Sequence, residues 1–412
     1  MYNLFKIAIR NLFRYKRRTF LTTLLITIGV VFVLVFISVS DSFKGMMIGQ
    51  ITDSMLGHIQ VHKRGYVASI DNLPLTLNLE PNMVKKVENY IKQIPEIEAY
   101  SPRLKFGGLF SNFVETTNVR INGIIPDQEA ATVPLLASRI IDGKKEISQG
   151  EIIIPELLEK GMKVRVGDTV VVIATNRDGS VNGRQLKVGG IIESVTGPGG
   201  RDGYIHIQDA MDILRMENRE ISEIALRLKD FQALHEVAGR LEAMLSSDLN
   251  KEGKPVFEVH TWEKLSPFFN VARMIDIMTL FIKLMLIAIV LISIMNVMIM
   301  AVFERIREIG TIAAIGTMPE NILALFLIEG FSLGVIGAII GNIFALLIIY
   351  VLNIFRITFN FGRQTGLILS PVIKVPDILL VSVIVIFVSV IASLQPAFKA
   401  SRMEPIKALK HL

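Results

Sequence analysis

The 412-residue sequence predicts a membrane protein with four transmembrane α-helices and a large α+β extracytoplasmic domain inserted between the first and second spans. Three observations carry this. Hydrophobic residues make up 51% of the chain, mean hydropathy is +0.50, and four apolar runs match the ~20 residues that a bilayer crossing needs. Residues 41–272, by contrast, have the mixed composition of a globular domain. The net charge of +6 is also split, because 41–272 hold 27 of the 44 Lys+Arg and 31 of the 38 Asp+Glu. The positive surplus therefore flanks the apolar runs, which argues against a nucleic-acid partner and for membrane lipid.

Residues 1–18 carry six basic side chains and no acid. Helical spacing sets Lys6, Arg10, Arg14 and Arg17 near one face and Phe5, Ala8, Ile9 and Leu12 on another, the pattern of an interfacial amphipathic helix on an anionic cytoplasmic leaflet. Residues 19–40 form the first span; its charge-free run is longer than a signal-peptide core, so it is expected to be retained. Strand-like runs at 57–62, 119–125, 151–154, 168–174, 186–195, 204–207, 223–228 and 256–260 mix with helical patterns at 81–93, 208–215 and 232–245, an α+β domain. The remaining spans are 273–303, 317–352 and 378–394, with 353–377 as an outer loop and 395–412 as a cytoplasmic tail. The three segments on the terminal side carry 12 Lys+Arg and the 353–377 loop three, so both termini are expected in the cytoplasm.

Between the second and third spans, the short charged segment 304–316 must turn the chain at one membrane face. As a helix it would set Glu304 and Arg307 on a wet side and Ile306, Ile309 and Ala313 on an apolar side that docks onto something. Gly316 would end it in the left-handed region, and Thr317-Met-Pro-Glu320 reads as a capping box opening the next helix.

Other motifs are weaker. There is no cysteine, no G-x-x-x-x-G-K-[ST] and no G-x-S-x-G, and the run Gly197-Pro-Gly-Gly-Arg-Asp-Gly203 lacks the Lys and hydroxyl a phosphate loop requires. His58 and His62 alternate as in a strand, which places them too far apart for one metal. Gly330, Gly334, Gly337 and Gly341 form small-xxx-small pairs, for a dimer seam or for packing within one subunit. Glu329 and Asn296 are intramembrane polar residues; Glu329 needs a partner or a wet crevice, as a proton relay or as a bond to a neighbouring helix near the interface.

Met295-Asn-Val297, then Val302-Phe-Glu-Arg-Ile-Arg-Glu-Ile-Gly310, Ala314-Ile-Gly316, Phe326-Leu-Ile-Glu-Gly330 and the tail Gln395-Pro-Ala-Phe-Lys-Ala-Ser-Arg-Met-Glu-Pro405 with Ala408-Leu409 together resemble the ABC-transporter permeases of the MacB, LolC/LolE and FtsX type. Val164-Arg-Val-Gly-Asp168, Val188-Gly-Gly-Ile191 and Trp262 extend the likeness into the large domain. The resemblance implies that Glu304, Arg305, Arg307, Glu308, Ile309, Gly310 and Gly316 belong to a coupling helix seated on a separate cytoplasmic ABC ATPase. It implies no cofactor on this chain, with ATP and Mg on the partner, and a second permease copy or paralogue. The glutamate-arginine wording is more like MacB, and a permease with no ATPase fused to it is more like LolC/LolE. Lipoprotein release is the expected work; a MacB-like exporter with a periplasmic adaptor or an FtsX-like signalling protein is the alternative.

Overall fold

The structure is a computed structural model and describes residues 2–194, 202–361 and 364–404. Positions 197–201 of the glycine-rich run, and Pro405, Ala408 and Leu409 of the tail, lie outside the described residues. Two compact units divide the chain: Met1–Gly45 with Arg273–Phe359 and Ile368–Leu412, and Met46–Ala272 with Asn360–Leu367.

The chain opens with α1 (Tyr2–Arg14) and α2 (Lys16–Ile51). There follow β1 (Ile59–Lys63), α3 (Pro81–Ile91), β2 (Ile97–Ser111), β3 (Thr116–Ile124), α4 (Pro126–Thr132), β4 (Ile140–Gly143), β5 (Glu151–Pro155) and α5 (Glu156–Met162). Next come β6 (Thr169–Thr175), β7 (Val181–Ile192), β8 (Asp202–His206), α6 (Ile207–Ile213), β9 (Glu223–Leu228), α7 (Leu234–Leu245), β10 (Phe257–Thr261) and α8 (Trp262–Leu265). The last part is helical, with α9 (Phe268–Glu304), α10 (Ile306–Ala314), α11 (Pro319–Phe355) and α12 (Val375–Ser401); β11 (Thr358–Phe361) and β12 (Gln364–Ile368) pair before α12.

Among the described residues four helices, α2, α9, α11 and α12, are long and apolar enough to cross a membrane. The helices run beyond the spans expected from the sequence. α2 starts just before 19 and continues well past 40, and its 36 residues span ~54 Å against a ~30 Å hydrocarbon core. α9 begins at Phe268, so the second span continues a helix that starts ahead of it. The fourth helix is not confined between Pro376 and Pro396: Pro376 fits the first turn, where no N–H is needed, and Pro396 lies inside a helix that continues to Ser401.

In the helical unit Ile26 and Leu34 of α2, Ile294 and Met298 of α9, Phe326 of α11 and Ala392 of α12 share one core. All four glycines of α11 face helices of the same chain. A Cβ at Gly330 would fall 1.8 Å from Ser393 Oγ and one at Gly334 2.7 Å from Ser389 Oγ, both on α12. At Gly337 and Gly341 it would meet Ile26 at 2.5 Å and Val30 at 2.6 Å, both on α2. These faces are thus occupied within one subunit. The two serine hydroxyls donate to carbonyls one turn back, Val385 and Ser389, at 2.7 Å, so the close approach leaves them satisfied.

The α+β unit is built on a ten-stranded sheet in the order β10-β1-β9-β2-β3-β8-β5-β7-β4, with β6 joined to β2 and β7. Every predicted strand forms. The sequence reading omits β2, the longest of them, because Pro102 and Gly107-Gly108 interrupt its pattern. β2 tolerates them by changing partners: Ile97 to Arg103 pair with β9, whereas Leu104 to Ser111 pair with β3 and, from Gly108, with β6. Gly108 is required there, since a Cβ would sit 2.6 Å from Ile173 O on β6.

Beneath this changeover lies a buried ionic cluster. Arg103 bonds Glu129 at 2.7 Å and Glu223 at 3.0 Å, and Lys105 reaches Glu223 at 2.8 Å. Burial alone would push the Glu223 carboxyl up, but Lys105, His62 and Arg103 outweigh it and hold it well below the usual carboxylate range. His62, fully buried, stands 3.6 Å from Glu223 and stacks on Tyr66. His58 Nδ1 accepts the Leu228 N–H at 3.0 Å, so both histidines are core residues. Burial, then the neighbouring His62, lower His260 to about 4.

Two predictions arise. Gly341→Val should overpack the α2 contact and cost about 1–3 kcal/mol, read as a lower melting temperature in detergent. His260 has a folded pKa below its unfolded value, so its contribution is complete above about 6.5 and is lost as pH falls towards 4. His260→Gln should therefore flatten the fall of unfolding free energy between those limits.

Candidate functional site

The charged turn of the helical unit is built around one carboxylate. Glu329, 0% exposed, lies ten residues into α11, about 15 Å from its start. Arg305 Nη1 donates to its Oε1 at 2.7 Å, and Asn11 Nδ2 of α1 donates to the same oxygen at 2.9 Å. Arg18 Nη2 of α2 stands 3.9 Å from Oε2.

Arg305 explains why α9 does not run on. Its backbone (φ −106, ψ 17) leaves the helix, ending α9 at Glu304 and starting α10 at Ile306. The side chain, 3% exposed, turns inward to Glu329, with its guanidinium 4.3 Å from the centroid of the Tyr15 ring. Tyr15 occupies the corner between α1 and α2, and Arg18 also approaches its ring, at 5.2 Å. Outside this core, Arg18 pairs with Glu304 at 3.6 Å and Arg14 with Glu308 at 3.4 Å. Three guanidiniums and three carboxylates thus join α1, α2, the α9–α10 break and α11.

The turn segment differs from its sequence reading in orientation. Glu304 ends α9 and does not share a helix with Arg307. Ile309 and Gly310 are buried in the bundle, so the side read as a docking face packs inward. Arg307 and Glu308 are exposed, and so are Phe303, Ile312, Ile315 at 81% and Met318 at 67%.

The stop after α10 is a Schellman arrangement: Gly316 (φ +95) donates to Ala313 O at 3.0 Å and Thr317 N to Ile312 O at 3.3 Å. Pro319 opens α11, but its N-cap is Met318 with no side-chain cap bond, so the capping box does not form. Asn296 is exposed on α9, in a groove with Arg14 to Arg18. Sequence reasoning missed Asn11, Tyr15 and Arg18, which belong to the α1–α2 corner; the one available signal was that a buried Glu329 needs donors.

Arg305, at the start of α10, is thus tied through Glu329 to Asn11 of α1. Fold and site define a multi-span membrane protein with a charged, partly apolar turn and a large α+β insertion between the first two spans. The family model for the MacB-like periplasmic core domain matches residues 19–244 and that for the FtsX-like permease C-terminal domain residues 280–405. The chain belongs to the ABC-transporter permeases of the MacB, LolC and FtsX type.

It is 25% identical to the lipoprotein-releasing system transmembrane protein LolC of Neisseria meningitidis serogroup B, over 98% of each chain. It is 24% identical to the macrolide export ATP-binding/permease protein MacB of Rhodopseudomonas palustris, over 98% of this chain and 59% of that one. The ABC transporter permease YtrF of Bacillus subtilis is 33% identical over 40% of this chain and 39% of its own.

Removing one side of the buried pair strands the other. Arg305→Leu should destabilise the helical unit by about 3–5 kcal/mol, and Arg305→Leu with Glu329→Leu should recover most of that, measured by denaturant unfolding in detergent.

Proposed function

We propose that this permease docks on a separate cytoplasmic ABC ATPase through α10 and its flanks, and converts closure of that ATPase on ATP and Mg into motion of its extracytoplasmic domain. The observation that carries this is the division of faces on α10. Ile309 and Gly310 anchor it to the bundle, while Ile312 and Ile315, with Phe303 and Met318 beside them, stand open to a partner. Arg307 and Glu308 flank this exposed edge. Arg305 then passes the displacement inward to Glu329. The charge distribution supports an orientation with both termini and α10 in the cytoplasm of a multi-pass cell-membrane protein. Nucleotide chemistry belongs to the partner, and a second permease copy or paralogue completes the transporter.

The cargo we assign is a lipoprotein released from the membrane, handed on to a periplasmic carrier. Its support is the end-to-end alignment with a LolC, over 98% of both chains. A second reading, export of a peptide or small amphiphile with an adaptor, is favoured by the alignment of 98% of this chain to a MacB.

Ile315→Asp should lower recovery of the ATPase with the purified permease about tenfold while leaving insertion and melting temperature unchanged, because the side chain touches only the partner. Gly310→Pro should abolish ATP-linked function by breaking α10. Undiminished co-purification in the first variant and full activity in the second would refute the docking role. Acylated polypeptide found by mass among the co-purified species supports release, and a soluble adaptor in its place supports export.

A further inference from the structure

The α1–α2 corner carries a second feature that the docking reading does not use. An open groove of about 690 Å³ lies between this corner and one face of α9. Its rim is mostly cationic, formed by Arg14, Lys16, Arg17 and Arg18 with the single carboxylate of Glu304, and its floor is apolar, with Leu21 on α2 and Val297 and Met300 on α9. Leu21 and Met300 are more than half exposed, at 57% and 58%. Two of the four cations are already engaged, Arg14 with Glu308 and Arg18 with Glu304 and Glu329. Lys16 and Arg17 pair with no carboxylate among the described residues, and both are exposed.

We infer that this groove is a binding site for one anionic phospholipid of the leaflet on the side of the termini. The charged rim and the apolar floor follow each other along α2 in the order of a lipid's own parts. Lys16 and Arg17 begin the helix and would hold the phosphate. Leu21 is four residues further along, where the uncharged part of the span has begun, and with Met300 would line an acyl chain. A free phosphate would use the rim and leave the floor empty. A zwitterionic lipid would cover the floor and gain little from two unpaired cations. An anionic lipid uses both. Arg18 belongs to the rim and to the Glu329 network, so an occupied site would bear on the α9–α10 break as well.

The test is native mass spectrometry of the full chain in mild detergent, titrated with phosphatidylglycerol and phosphatidylethanolamine of identical acyl chains. The expected result is about a tenfold preference for phosphatidylglycerol, lost in Lys16→Gln/Arg17→Gln. Met300→Trp should fill the floor and weaken both lipids, and excess glycerol 1-phosphate should not compete. Lys16, Arg17 and Met300 are exposed, and an unchanged melting temperature verifies that the variants fold. Equal binding of the two lipids by the parent protein, or an undiminished preference in the double variant, would overturn the site. Competition by glycerol 1-phosphate would reduce it to a phosphate site and overturn the lipid. If the double variant keeps its lipid preference but loses the ATPase, the rim belongs to the protein partner and the inference fails.

Discussion

A carboxylate with no access to water dictates how the helical unit is assembled. Glu329 sits in a largely apolar stretch of α11, where an unpaired charge costs several kcal/mol, and it is met from two directions by Arg305 and Asn11. Satisfying it draws Arg305 inward and interrupts the helix after Glu304. It also fixes α1 against α11 and gives Tyr15 a cation to cover. Break, corner and turn are three results of one requirement.

That requirement was only half legible in the sequence. The existence of the spans followed from composition, because length and absence of charge leave few alternatives in a bilayer. Their ends did not, since α2 and α12 continue through polar or proline-containing residues that are helical for reasons of packing. Glu329 announced itself as a residue needing partners, but its partners lie 24 and 318 residues away, and no local pattern connects them. The faces of α10 were legible only in part for a related reason. Periodicity says that a helix has an apolar side; it does not say that Ile309 is taken by the protein's own bundle and that Ile312 and Ile315 are left over.

The α+β unit shows the opposite balance. Eight strands were legible from Ile- and Val-rich runs, yet the strand that joins them was not. β2 carries Pro102 and two glycines because it changes partners midway, and a strand that serves different neighbours at its two ends does not have a uniform alternation. The buried Arg103, Glu129 and Glu223, with the half-buried Lys105, gather at this changeover, where paired charges fill what apolar side chains and an unbroken ladder would otherwise fill.

The glycine and serine contacts between α11 and α12 have a consequence for stiffness. Where the backbones of these two helices meet through Gly330, Gly334, Ser389 and Ser393, even a methyl group on either glycine would collide with a serine, so there is no slack at these points. α2 is pressed against α11 at Gly337 and Gly341. Compliance is left at the joints, the irregular backbone of Arg305 and the left-handed Gly316 at either end of α10. Tight backbone packing within the bundle thus lies beside two departures from helical geometry, one at each end of α10.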